Sequence, residues 1–190
     1  MLAFPAMLRL FGVVVLAVYA MAPIATQSAI EARAAYRYRV AIAGMLALKP
    51  GMSVAEIGPG AGFLSAVMTP QVEPGGRTVA LASTSGLQPG TLDAVTFVDA
   101  FTPAVRAPDV LRDIGAALKP AGALLVVDVA REGIGAAQQG IDADELIAAA
   151  TAAGFKREAE SGIVPGHFAM RFRKQRTASG FQLPASGYQL

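Results

Sequence analysis

The chain has 190 residues, 54% of them hydrophobic and 16% charged, a length that suits one domain and a composition that excludes disorder or coiled coil for its bulk. It has no cysteine and a single histidine, His167, which excludes disulfides, thiolate metal sites, cysteine nucleophiles and multi-histidine zinc sites. The net charge of +2 conceals a division, because Val40 to Met170 holds 8 basic and 13 acidic residues while the basic excess lies in the flanks; no continuous basic track serves a phosphate backbone, and nucleic acid is not an expected ligand.

Leu10 to Ile30 carries no charge, and its densest part, Leu10 to Ala22, is an apolar block preceded by Arg9 and ended by Pro23. That pattern predicts a signal peptide or membrane anchor over residues 1–30. The block is shorter than the ~18 to 20 residues that cross a bilayer, and arginines on both sides leave an anchor's orientation open. The expected location is therefore exported, periplasmic or membrane-anchored, with a cytoplasmic core helix as the alternative.

Glu31 to Leu48 reads as a helix with Ala32, Tyr36, Val40, Ala43 and Ala47 on one face, ended by Lys49-Pro50-Gly51. Ser53 to Ile57 is a short apolar strand, and Gly58-Pro59-Gly60-Ala61-Gly62 turns it into a helix from about Phe63 to Met68. After the turn at Pro74-Gly75-Gly76, strands are expected at Arg77 to Ala82 and Leu92 to Val98, a helix at Pro108 to Leu118, and a buried strand at Ala123 to Val129. Asp142 and Glu145 form a capping-box pattern for a helix to Ala153, ended by Gly154. Phe155 to Ile163 and His167 to Arg173 are the arms of a hairpin, and residues 177–190, rich in Ser, Gly and Gln, read as a disordered tail. Alternating strands and helices predict a mostly parallel sheet with an antiparallel end, in one domain over residues 31–176.

The turn Glu56-Ile57-Gly58-Pro59-Gly60-Ala61-Gly62 stands between strand and helix, where glycines let backbone approach a ligand. Its spacing is G-x-G-x-G, and Phe63 stands where a dinucleotide fingerprint has its third glycine, which argues against NAD. With Glu56 two positions ahead of the first glycine, the turn resembles the first motif of class I S-adenosylmethionine-dependent methyltransferases. Leu48-Lys49-Pro50-Gly51-Met52, Val95 to Asp99, Leu118-Lys119-Pro120-Ala121-Gly122 and Ala153-Gly154-Phe155 extend the resemblance in the same order, over about Lys49 to Lys174, and together look like a shortened, exported or membrane-anchored branch of that family.

The resemblance implies a Rossmann-like three-layer α/β sandwich, S-adenosylmethionine as cofactor, and a small-molecule or peptidic methyl acceptor. It implies that Gly58, Gly60 and Gly62 approach the methionine part of the cofactor, that Pro59 and Phe63 complete the cofactor-binding turn, and that Glu56 orients it. Asp99, at the end of the fourth strand of the family pattern, falls near the transferred methyl group. Asp128 reads as structural and His167 as an ordinary sheet residue; no metal site is expected.

The chain departs from the family pattern twice. The second strand ends Val79-Ala80-Leu81-Ala82-Ser83, without the carboxylate that the family uses to hold the ribose hydroxyls, a contact of about 1.5 to 3 kcal/mol. Only Ser83 to Thr91 then connect it to the next strand, so about one helix-strand unit is missing. The crossing of ~22 Å lies within the ~30 Å that the connection can span when extended. The second strand should then be a sheet edge, covered by the Glu31 to Leu48 helix, by a membrane, or by a second copy in a homo-oligomer. The alternative function is a methyltransferase-like binding protein of the cell envelope without turnover.

Overall fold

The computed structural model describes residues 34–58, 61–98, 108–130 and 142–175. The expected leader and the expected tail lie outside the described residues. The described elements, in chain order, are α1 (Ala34–Arg37), α2 (Arg39–Gly44), β1 (Ser53–Ile57), α3 (Ser65–Val72), β2 (Arg77–Leu81), β3 (Leu92–Val98), α4 (Pro108–Ala117), β4 (Leu118–Val129), α5 (Ala143–Ala152), β5 (Phe155–Ser161) and β6 (His167–Lys174).

The six strands form one sheet in the order β2-β1-β3-β4-β6-β5. β1 pairs in parallel with β2 and β3, and β3 with β4, while β4–β6 and β6–β5 are antiparallel. This is the Rossmann-like sheet with a C-terminal antiparallel hairpin that the alternation of elements implies, and β2 is an edge. Period-2 alternation sends successive strand residues to opposite faces. Ala55, Ile57, Val95, Phe97, Leu124 and Val126 pack with Leu111 and Ile114 of α4 and Leu146 and Ala150 of α5. Val54, Ala94, Val98, Leu125 and Val127 pack with Ile42 and Ala43 of α2 and Leu64, Met68 and Val72 around α3.

Local structure departs from expectation where a side chain or a turn overrides periodicity. The single helix expected over Glu31 to Leu48 is broken at Tyr38 (φ −102°, ψ 8°) into α1 and α2, and Ala47 at φ 50° lies beyond its end. The break rotates the second piece, so Ala35, Ile42, Ala43 and Leu46 are buried while Val40, expected on the inner face, is 67% exposed. Helix α3 starts two residues later than predicted and runs through Pro70, held by buried Met68 and Val72. Strand β4 starts at Leu118 rather than Ala123, because Leu92 already pairs with Leu118 before a register shift. At α5, the Asp142 carboxylate accepts from Asp144 N at 2.8 Å, a local turn bond at the cap position.

The connection from β2 to β3 covers its own sheet face. Leu87 packs with Val79 and Leu81 against the cluster that contains α4, and Gly90 N and Thr91 N donate to the Ala116 and Ala117 carbonyls, each at 2.9 Å. Helix α2 packs on the other face, so of the three covers expected beside the missing unit, the Glu31 to Leu48 helix is not the one that lies on the α4 face. At the opposite edge, β5 presents Lys156, Arg157, Glu158 and Glu160 and carries a register irregularity at Arg157/Ala159, charges and a bulge of the kind that deter strand addition.

Candidate active site

Glu56 is the fourth residue of β1 and lies on the face toward α3, where it is 1% exposed. A carboxylate so buried must be matched by donors. Its Oε1 accepts from Leu64 N at 3.3 Å, and its Oε2 accepts from Ser65 N and Ser65 Oγ, each at 3.0 Å. Glu56 therefore ties the strand to the start of α3 and fixes the two ends of the glycine turn. Ser65, which supplies two of the three bonds, was not singled out from sequence; a hydroxyl residue at a helix start, nine positions after a strand carboxylate, is the signal for it.

Gly58 (φ 140°) and Gly62 (φ 123°) occupy backbone regions that L side chains rarely adopt. Gly58 N donates to Leu81 O at 2.9 Å, joining the turn to the end of β2, and a Cβ built on Gly62 would meet none of the described residues. Phe63 is buried among the apolar residues of the α2–α3 layer, with its ring 6.3 Å from that of Tyr36. Pro59, Gly60 and Asp99 lie outside the described residues. Beside Glu56, in register on β3, Thr96 is fully buried, and its hydroxyl has no hydrogen-bond partner among the described residues. Asp128 is buried, with Oδ1 accepting from Val129 N at 2.8 Å. The His167 ring nitrogen Nδ1 lies 3.0 Å from the Pro165 carbonyl.

The charge of this turn decides which ligand chemistry it suits. Helix N-termini attract anions through unpaired N–H groups, but here Leu64 N and Ser65 N already point at the Glu56 carboxylate. A buried negative charge beneath the turn opposes a pyrophosphate and favours a cation. Among the described residues no cluster of three or more His, Asp or Glu could hold a metal ion.

The sheet order, the glycine turn and its buried acid define the class: the chain has the Rossmann-like fold of S-adenosylmethionine-dependent methyltransferases. A family model described as protein-L-isoaspartate(D-aspartate) O-methyltransferase (PCMT) matches residues 15–112, half of the chain, and the chain belongs to that family. Among solved structures it is similar to the 1,6-didemethyltoxoflavin-N1-methyltransferase of Burkholderia thailandensis, solved with 1,6-didemethyltoxoflavin and S-adenosylhomocysteine bound. That similarity has 19% identity and a TM-score of 0.61, over 93% of this chain and 92% of that one. A SAM-dependent methyltransferase from Aquifex aeolicus is 16% identical with a TM-score of 0.59, over 73% of this chain and 92% of that one. The cyclase SpnF is 14% identical with a TM-score of 0.57, over 75% and 82%, so one fold hosts more than one named activity. No curated protein sequence matches the chain.

Proposed function

We propose that the protein is an S-adenosylmethionine-dependent methyltransferase, and that Gly58, Pro59, Gly60, Gly62 and Phe63 form the turn that takes the methionine end of the cofactor. The observation that carries this reading is the Glu56 carboxylate under the turn, bound to Leu64 N and Ser65. It suits a ligand whose methionine end bears a sulfonium and an ammonium, and it opposes the diphosphate of a dinucleotide. Bound there, S-adenosylmethionine supplies an electrophilic methyl group. The chain's own contribution is to hold the two reactants in line, and Asp99 is the residue we assign beside the transferred methyl group.

Family membership supports a carboxylate of a peptidic substrate as the acceptor. Such a group is already ionised at neutral pH, so its reaction needs positioning more than a general base. Transfer of labelled methyl groups to isoaspartyl peptides, with aspartyl peptides as the comparison, tests the acceptor. The cofactor is tested by calorimetric titration with S-adenosylhomocysteine and, separately, NAD. The expected result is binding of the first and none of the second. A folded protein that binds NAD, or neither compound, refutes the assignment.

The absence of an acid in Val79-Ala80-Leu81-Ala82-Ser83 favours a second reading, a methyltransferase-like binding protein without turnover. Binding of S-adenosylhomocysteine with no methyl transfer to any acceptor class would select it.

A further inference from the structure

The sheet ends on two strands that meet solvent differently. β5 carries Lys156, Arg157, Glu158 and Glu160 and a register irregularity. β2 reads Arg77-Thr78-Val79-Ala80-Leu81 and pairs with β1 in an unbroken register. Charges, prolines and bulges keep an edge from taking another strand, and past Arg77 β2 has none of them.

The ladder shows which backbone groups of β2 are open. Arg77 N donates to Met52 O, and Leu81 O accepts from Gly58 N. With regular pairing between those ends, Arg77, Val79 and Leu81 turn their N–H and C=O groups to β1, and Thr78 and Ala80 turn theirs outward. β2 is the last strand on that side, so among the described residues no strand takes these groups. The neighbouring elements pack on the faces of β2: Leu87 with Val79 and Leu81 on the α4 face, and α3 on the other, where Thr69 Oγ1 and Thr78 Oγ1 are 2.6 Å apart. Ala80 is exposed.

We infer that β2 is a homodimer interface, pairing antiparallel with β2 of a second copy so that one sheet runs through both. With the two-fold axis at Val79, Thr78 stands opposite the partner's Ala80, and Ala80 opposite the partner's Thr78. Each pair exchanges N–H···O bonds in both directions, which uses all the outward groups of Thr78 and Ala80. The two Val79 side chains meet at the axis on the α4 face and extend the apolar layer of Leu81 and Leu87. The two Arg77 residues fall at opposite ends, about 14 Å apart and beyond the ~8 Å screening length. A parallel pairing would bring them together, and pairing with β5 would meet its charges and its bulge. This self-complementarity selects a second copy over a membrane surface, whose hydrocarbon offers nothing to open N–H and C=O groups. The inference does not depend on the methyltransferase reading. Strands this short bury less than the ~1,000 Å² of a tight interface, so the dimer forms reversibly as concentration rises.

The test is sedimentation velocity of the full chain over a dilution series, with amide hydrogen exchange measured on the same samples. The expected result is a shift from monomer to dimer with rising concentration, at least about tenfold slower exchange at Thr78 and Ala80 in the dimer, and no slowing in β5. Ala80→Pro removes an outward N–H and leaves the ladder to β1 whole, and it should stay monomeric throughout. If that variant does not fold, Ala80→Lys, which puts a charge at the exposed centre of the edge, takes its place with the same expectation. A parent that is monomeric at every concentration overturns the inference. So does a dimer whose Thr78 and Ala80 amides exchange as fast as the monomer's. A dimer that persists in the folded Ala80 variant places the contact elsewhere and overturns it as well.

Discussion

Glu56 and Gly62 show what single residues contribute to the turn. At Gly62 a side chain would find space among the described residues but not a permitted backbone, since φ is 123° and no described residue lies within 4 Å of the built Cβ. The cost of Gly62→Val should thus be backbone strain alone, about 1 to 3 kcal/mol, seen as a lower midpoint in urea with an unchanged slope. An unaltered midpoint would show that the turn relaxes freely. On the β5–β6 hairpin, Glu158 is held below the usual carboxylate range, chiefly by its side-chain hydrogen bond to Arg173, which outweighs the opposing effect of burial and is joined by the weaker attractions of the Arg173, Arg171 and Lys156 charges. A depressed acid stabilises the fold above its unfolded-state pKa, and that contribution is lost as pH falls through its folded-state pKa. Glu158→Gln should therefore lower the melting temperature at pH 7, with the difference from the parent vanishing under acid. A gap that persists at low pH would mean that packing, not charge, is responsible. The effect should be small, because the pair is partly exposed.

Among the elements, the junction of β1, α3 and β2 is closely built. Gly76 N donates to Val72 O at 3.0 Å, Gly51 N donates to the same carbonyl at 2.8 Å, and Arg77 N donates to Met52 O at 3.0 Å. A Cβ on Gly76 would sit 2.4 Å from both the Met52 and Val72 carbonyl oxygens, and backbone atoms cannot rotate away as a side chain can. Gly76→Ala should destabilise by about 2 kcal/mol or more, measured by equilibrium unfolding, whereas Gly86→Ala, strained but unobstructed (φ 91°), should cost less. If the two variants prove equal, the junction is looser than its hydrogen bonds imply. The glycines of Pro74-Gly75-Gly76 were legible as a turn. That Gly76 is also wedged between two carbonyls was not, because those carbonyls come from residues 4 and 24 positions earlier in the chain.

For the whole molecule, a leader over residues 1–30 remains our proposal, supported by the uncharged Leu10 to Ile30 segment. Among the described residues no helix is long and apolar enough to cross a membrane, and the family match reaches back to residue 15. A fusion of residues 1–39 to a reporter active only outside the cytoplasm should give signal. If it stays silent at normal expression, the segment belongs to the domain and not to an export route.

Order and spacing along the chain were enough to determine the strands, the glycine turn, the parallel sheet with its antiparallel end, and the edge position of β2. Each depends on local periodicity, on turn chemistry, or on a connection too short to hold another strand. Ser53–Ile57 and Leu92–Val98 have the predicted limits because mostly apolar runs bounded by turn residues leave little choice. Tertiary structure alone decided the break at Tyr38 and the burial of Phe63 against Tyr36. It also decided the pairing of Glu56 with Ser65, and the approach of Asp113 to Thr84 across 29 positions of sequence. These are contacts between groups whose distance depends on how helices pack on the sheet. Neither residue of such a pair carries a mark of the other in its own neighbourhood.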